Sequence, residues 1–189
     1  PTLVTEDAMN GGWSLAAPDG KARFIWSKDF SLSPLHDMMI ELDAKPFVDA
    51  GLDTAKLPAN YSAYGDMLMV GAKYGQDKFT YTGAATPLAA YQQFAAQQPD
   101  ALNYHASLDH FVVKLGDGNM FEWAKDLAKN TTTGAVQDKD IVFVLNPEPL
   151  IAAGVDPAKV QGWVYAQVEV MENGAKALVY KFLKPFDIK

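Results

Sequence analysis

The feature that most constrains this chain is a segment that occurs twice. Residues 46–57 (PFVDAGLDTAKL) align without a gap on residues 149–160 (PLIAAGVDPAKV). Six of the twelve aligned positions are identical, and four more exchange one apolar side chain for another. A match of this length within one chain favours an internal duplication over a chance resemblance.

Shorter matching blocks precede this segment in the same order in both halves. They are Asp19-Gly20 with Phe24–Phe30 against Asp117-Gly118 with Phe121–Leu127, and Asp7–Asn10 against Asp100–Asn103. Because the blocks are collinear, residues 5–83 and 99–189 are predicted to be two diverged copies of one unit. Residues 84–98 join them and are predicted to be helical, since apolar residues recur there at helical spacing.

The predicted fold class is α+β, with a mainly antiparallel β unit and short helices present twice about a pseudo-two-fold axis. Within the twelve-residue block the pattern predicts two short helical turns around a glycine. Pro46 suits the first turn of a helix, Gly51 suits the positive φ at a helix end, and Asp53 can cap the following turn. Their counterparts in the second half are Pro149, Gly154 and Asp156.

Apolar runs on either side of the block predict strands. Residues 38–43 and 140–146 are expected in the core, and residues 163–172 and 175–183 flank Asn173-Gly174, a strong signal for a two-residue hairpin. In the first half, residues 67–74 and 78–82 are predicted to form the equivalent hairpin, after a loop over residues 58–65.

The Asp-Gly pairs predict two more hairpins. Residues 20–30 and 118–127, which follow these turns, are then predicted to be strands, with Phe24 and Trp26 on one face of the first. Residues 119–129 taken alone also have the pattern of a helix capped by Asn119. Since homologous segments share one structure, the strand is the favoured interpretation.

Composition and charge exclude several classes of function. Lys and Arg number 16 against 23 Asp and Glu, which gives a formal charge of −7 and disfavours nucleic acid and anionic membrane surfaces as partners. The sequence contains no apolar run long enough for a transmembrane segment. It contains no cysteine, which excludes disulfides and thiolate metal sites. Because the sequence starts at Pro1 rather than Met, we expect an extracytoplasmic protein, whether periplasmic, cell-surface or secreted.

The candidate for chemistry is a polar and aromatic cluster formed by Tyr104, His105, Asp109 and His110. Histidine with an acidic partner can serve as a general base, and two histidines can bind a metal ion. A separation of five residues, however, fits neither one helical face nor one strand face. A surface or strand-end role is therefore the favoured interpretation of these histidines.

Aromatic residues offer a second kind of site. Trp26, Trp123 and Trp163 are candidates for lining a groove between the units that takes a small molecule or a peptide. The alternative is that these side chains pack in the core.

The residues that repeat are those that build turns, caps and core, and no polar constellation is repeated. The sequence therefore favours a non-enzymatic exported module that binds an unidentified small molecule or protein, with no cofactor. The alternative is an enzyme or a metal-binding protein that uses His105, Asp109 and His110.

Overall fold

A computed structural model describes residues 4–7, 12–27, 38–59, 61–72, 102–105, 110–115, 117–123, 139 and 141–186. In this part of the chain the first half comprises β1 (Val4–Asp7), β2 (Gly12–Ala16), β3 (Ala22–Ser27), β4 (Met38–Asp43), α1 (Lys45–Asp49), the 3-10 turn η1 (Thr54–Lys56), β5 (Tyr61–Tyr64) and β6 (Met67–Ala72). The second half comprises β7 (Leu102–His105), β8 (His110–Lys114), β9 (Met120–Trp123), β10 (Ile141–Leu145), α2 (Glu148–Ala152), the 3-10 turn η2 (Pro157–Lys159), β11 (Val164–Glu172) and β12 (Ala175–Phe186).

Each half contributes one six-stranded sheet. The strand order is β1-β2-β3-β4-β6-β5 in the first sheet and β7-β8-β9-β10-β12-β11 in the second, so the elements follow each other and pair in the same way. All neighbouring strands are antiparallel. The prediction of a mainly antiparallel α+β fold with short helices is confirmed. The predicted connecting helix over residues 84–98 lies outside the described residues.

The two sheets share one hydrophobic core. Side chains alternate between the two faces of each strand, so that one face of each sheet contributes to this core. In β4, Ile40 and Leu42 are buried in the shared core, whereas Met39 packs on the opposite face with Ile25 and Met69. In β10, the shared core holds Ile141, Phe143 and Leu145, while Val142 and Val144 pack on the opposite face with Leu183.

Aromatic rings join the sheets across this core. The rings of Phe24 in β3 and Phe121 in β9 stack with centroids 4.8 Å apart and an interplanar angle of 12°. Phe47 in α1 packs against Phe182 in β12, with centroids 5.8 Å apart, and against Trp163, at 5.5 Å. Each contact connects residues of different halves, so neither sheet buries its inner face alone.

The repeated segment forms the predicted pair of turns in both halves. α1 and α2 carry proline in their first turn, and the carboxylates of Asp53 and Asp156 accept hydrogen bonds from the backbone N–H two residues later, at 3.1 Å in each case. Gly51 and Gly154 have φ values of +109° and +106°. The predictions for the helix starts, the glycines and the caps are confirmed.

The two copies of this segment lie against each other. The N–H of Asp53 donates to the carbonyl of Ala153 at 2.8 Å, and the N–H of Asp156 donates to the carbonyl of Ala50 at 2.8 Å. A Cβ built on Gly51 would lie 2.5 Å from the carbonyl oxygen of Gly154, and one built on Gly154 would lie 2.6 Å from that of Gly51. The repeated glycines therefore permit a close, reciprocal approach of backbone to backbone.

Strand register tests the shorter sequence matches. Phe24 lies opposite Ile40 as Phe121 lies opposite Phe143, in agreement with the Phe-x-Trp alignment. In the match of residues 7–10 with residues 100–103, no aligned pair has both residues within the described part of the chain, so this match stays a prediction. Leu102 pairs with Val113 as Val4 pairs with Leu15, so β7 corresponds to β1 at positions 4–7.

The Asn173-Gly174 hairpin is confirmed, with φ values of +50° and +79° at the two turn residues. The first-half equivalent is different from the prediction. β5, within the predicted loop, pairs with β6 around Gly65-Asp66, because Gly65 supplies the positive φ that a tight turn requires. Residues 78–82 lie outside the described residues.

The Asp-Gly pairs lie in turns as predicted. Asp19-Gly20 connects β2 with β3, and Asp117-Gly118 connects β8 with β9. Residues 120–123 form a strand, as the comparison of the halves predicted, because β9 is held between β8 and β10. The helical pattern that starts at Asn119 is therefore overridden there by strand pairing.

Candidate functional site

The three tryptophans proposed to line a groove lie in β3, in β9 and directly before β11. Trp26 in β3 is paired with Met38, and Trp123 in β9 is paired with Ile141, so the two occupy corresponding positions of the two sheets. Strand alternation places Trp26 on the same face as Phe24, which is the face toward the shared core. The side chains of Trp26 and Trp123 lie outside the described part of the structure, so a role of these two residues in a groove stays a prediction.

The polar cluster lies at one edge of the second sheet. Tyr104 and His105 belong to β7, and His110 begins β8, while Asp109 lies outside the described residues. β7 and β11 are at opposite edges of this sheet, five strand spacings apart, which corresponds to roughly 24 Å in a flat sheet. Trp163, which immediately precedes β11, is thus not brought together with His105.

Trp163 takes part in a cluster around a buried lysine. The side chain of Lys184 is 9% exposed, and its ammonium lies 3.3 Å from a carboxylate oxygen of Asp19 and donates to the carbonyl of Gly162 at 3.3 Å. The same ammonium lies 5.6 Å from the ring centroid of Trp163 and 5.3 Å from that of Phe186. A buried charge requires such compensation. Lys184 therefore connects the two halves, since Asp19 belongs to the first and Gly162, Trp163 and Phe186 to the second.

A second polar junction involves Tyr61 and Asn119, both of which are buried. The Asn119 side-chain amide donates to the Tyr61 hydroxyl at 3.1 Å, and its oxygen accepts from the N–H of Asn146 at 2.8 Å. Asn146 in turn accepts from the N–H of Glu148 at 3.1 Å, which completes the start of α2. Burial raises the pKa of Tyr61, the hydrogen bond from Asn119 opposes this increase, and Asp117 adds to it.

We expect the stability of the protein to fall as pH rises above about 10, the ordinary pKa of tyrosine, in part because of Tyr61. The unfolded chain then loses the phenol proton while the folded chain retains it, so ionisation favours the unfolded state. The stability that the neutral Tyr61 side chain contributes is fully present below about pH 10. It is lost as pH rises through the raised pKa of Tyr61 in the folded state. Urea denaturation at several pH values, with and without Tyr61→Phe, measures it.

Tyr61→Phe should weaken the alkaline dependence of the free energy of unfolding and cost about 1 kcal/mol at neutral pH through the lost hydrogen bond. Tyr64→Phe is the matched control, since Tyr64 lies in the same strand and is 80% exposed. The same alkaline slope in wild type and Tyr61→Phe would contradict the prediction.

Among the described residues, the largest difference between the halves is the length of the hairpin at the sheet edge. β5 and β6 have four and six residues, whereas β11 and β12 have nine and twelve. β10 pairs only with residues 182–186 of β12, so residues 166–181 extend past it as a two-stranded arm. From residue 166 to residue 172 this arm extends for about 20 Å. We call residues 166–181 the β11–β12 arm.

One face of the arm carries exposed apolar side chains. Leu178 is 66% exposed and Tyr180 is 49% exposed. At the base of the arm the ring of Tyr180 stacks on that of Tyr165, with centroids 4.7 Å apart. Glu169, which lies directly across from Leu178 in β11, forms an ion pair with Lys176 at 3.1 Å. This face therefore combines two exposed apolar side chains with exposed Gln167 and one ion pair.

The outer side of β11 is the open edge of the second sheet among the described residues. In a two-residue hairpin the pair that flanks the turn is hydrogen-bonded, and hydrogen-bonded and non-hydrogen-bonded pairs then alternate. Glu172 and Ala175 flank this turn, so every second residue of β11 bonds to β12 and the others present their N–H and C=O groups outward. The outward residues are Tyr165, Gln167, Glu169 and Met171.

Comparison with known proteins gives no counterpart. No protein-family model matches the chain, no curated protein matches it, and no solved structure matches it. Within the described residues, no helix has the length and apolar character needed to cross a membrane. The same residues contain no group of three or more His, Asp or Glu side chains placed to hold a metal ion.

Sequence reasoning missed the arm, although a signal for it was present. The hairpin strands were predicted over residues 163–172 and 175–183, whereas the strand predicted beside them covers only residues 140–146. The difference in length means that part of the hairpin has to extend past its neighbour. The Lys184 and Asn119 junctions had no such signal, because their partners are distant in sequence.

Proposed function

We propose that this chain is a non-enzymatic binding protein, acting outside the cytoplasm, that takes an extended segment of a partner protein as an added strand along the outer edge of β11. The observation that supports it is the arm, where an open edge of nine residues adjoins exposed apolar side chains. In strand addition, main-chain hydrogen bonds supply affinity and alternate side chains supply specificity.

The chemistry of the edge indicates the kind of segment that fits. Val164, Ala166 and Val168 alternate with Tyr165 and Gln167 along β11, so an added strand meets apolar neighbours at every second position. The net charge of −7 favours a partner with basic residues at the other positions. A second acidic copy of this chain is electrostatically less suited.

The equal strand order of the halves supports the further proposal that they are diverged copies related by a pseudo-two-fold axis. The reciprocal contacts of Gly51 with Gly154, and the stack of Phe24 on Phe121, would lie near that axis. On this view the shared elements build the core, and the elements that differ between copies carry the function. The arm is the largest such difference.

The edge is tested with a synthetic peptide in which valine alternates with lysine and threonine, and with a scrambled peptide of the same composition. We expect the alternating peptide to bind with micromolar affinity, about −8 kcal/mol, and the scrambled one not to bind. Isothermal titration measures binding, and amide chemical shifts of Gln167 and Glu169 report its location.

Gln167→Pro removes an outward N–H and should abolish binding while leaving the pairing with β12 intact. Ala63→Pro is the matched control, since the same alternation from the Gly65-Asp66 turn makes Ala63 an outward residue of β5, the edge strand of the first sheet. Unchanged binding by Gln167→Pro, or no binding to wild type, would overturn the proposal. If the wild type forms a homodimer and Gln167→Pro dissociates it, the strand that β11 takes is that of a second copy of this chain and not that of a different protein.

A further inference from the structure

Two histidines are paired directly across the hairpin at the other edge of the second sheet. The register of β7 with β8 sets His105 opposite His110. Residues directly opposite in an antiparallel pair share one face of the sheet and have Cβ atoms about 4.5–5.5 Å apart. The five-residue separation fits no single strand or helix face, but the two residues lie opposite each other here because they belong to paired antiparallel strands.

Imidazole is a common protein ligand for transition metals, and the metal–nitrogen distance is about 2.0–2.1 Å for zinc. Backbone positions this close allow two histidines to share a single ion, with water in the remaining positions. Imidazole suits Zn²⁺, Cu²⁺ and Ni²⁺, whereas Mg²⁺ and Ca²⁺ prefer oxygen ligands.

The pair is specific to the second half. At the corresponding register position of the first sheet, Asp7 lies opposite Gly12. Of these two residues only Asp7 has a side chain that can bind a metal ion. Like the arm, the histidine pair thus belongs to the features in which the halves differ, and it occupies the opposite edge of the second sheet from the arm.

We propose that His105 and His110 form a two-histidine site for a divalent transition-metal ion of the kind that imidazole binds. The proposal assigns only metal binding to this site, with protein ligands from β7 and β8 alone. It is independent of strand addition at β11, since β7 and β11 are at opposite edges of the sheet.

Isothermal titration of the full chain with Zn²⁺ and with Ni²⁺ tests the site, with Mg²⁺ as the control ion. We expect one equivalent of Zn²⁺ or Ni²⁺ to bind and Mg²⁺ not to bind. His105→Ala and His110→Ala should each lower the affinity by more than about tenfold, since loss of even an outer-shell partner costs 10–100-fold. A metal-dependent increase in melting temperature, absent from both variants, is the second measurement.

His36→Ala is the matched control, because His36 is the third of the three histidines in the chain and should leave binding unchanged. Circular dichroism of each variant shows whether it is folded, and His105→Gln replaces His105→Ala if the latter is not. The absence of binding to wild type, retention of affinity in either histidine variant, or an equal loss in His36→Ala would each overturn the site.

Discussion

Gly51→Ala and Gly154→Ala are each expected to lower the free energy of unfolding by roughly 3 kcal/mol or more, because two costs combine at these positions. The φ values of +109° and +106° are unfavourable for any residue with a Cβ. The added methyl group would also lie 2.5 or 2.6 Å from a carbonyl oxygen of the other half, which is a backbone atom and cannot move aside cheaply. Urea denaturation followed by tryptophan fluorescence measures the loss.

Gly20→Ala separates the two costs. Gly20 has a φ of +72°, and a Cβ added there would meet open space, so only the backbone cost of about 1 kcal/mol applies. The double variant Gly51→Ala/Gly154→Ala should lose less than the sum of the single losses, since both substitutions strain one contact. Equal losses at Gly20 and Gly51 would contradict the close approach of the two halves.

The sequence was sufficient for the local elements whose cause is local. Proline, glycine and aspartate in the repeated segment determine the turns through φ and side-chain capping, and these turns were predicted correctly. The hairpin at Asn173-Gly174 follows for the same reason. At β5 the prediction was wrong, because residues 61–64, predicted as part of a loop, pair with β6 around the Gly65-Asp66 turn.

The candidate sites depend on contacts that no local pattern encodes. Lys184 meets Asp19 and Asn119 meets Tyr61 across the interface of the halves, and in each case a residue of one copy uses a partner from the other. The opposition of His105 and His110 has a related cause, because the spacing argument considered one continuous strand or helix, whereas the two residues lie on paired antiparallel strands.

The shared core links these observations to stability. If one face of each sheet is buried only by the other sheet, the protein should unfold as one cooperative unit, although its elements occur in two similar sets. The two polar junctions add to this coupling, because both Lys184 and Asn119 hold groups of the opposite half in the interface. The stacked pair of Phe24 and Phe121 provides a direct test.

Phe24→Ala and Phe121→Ala are each expected to cost about 3–5 kcal/mol, since both rings are almost fully buried and each substitution leaves a cavity between the sheets. A double-mutant cycle should give a coupling of about 0.5–1.5 kcal/mol for the stacked rings. Leu178→Ala, at an exposed position of the arm, is the control and should change stability by less than about 0.5 kcal/mol.

Far-ultraviolet circular dichroism and tryptophan fluorescence should report coincident transitions for wild type and variants. Separate transitions would mean that each sheet is stable without the other. A coupling of zero would mean that the stacked rings contribute to stability only through their separate burial.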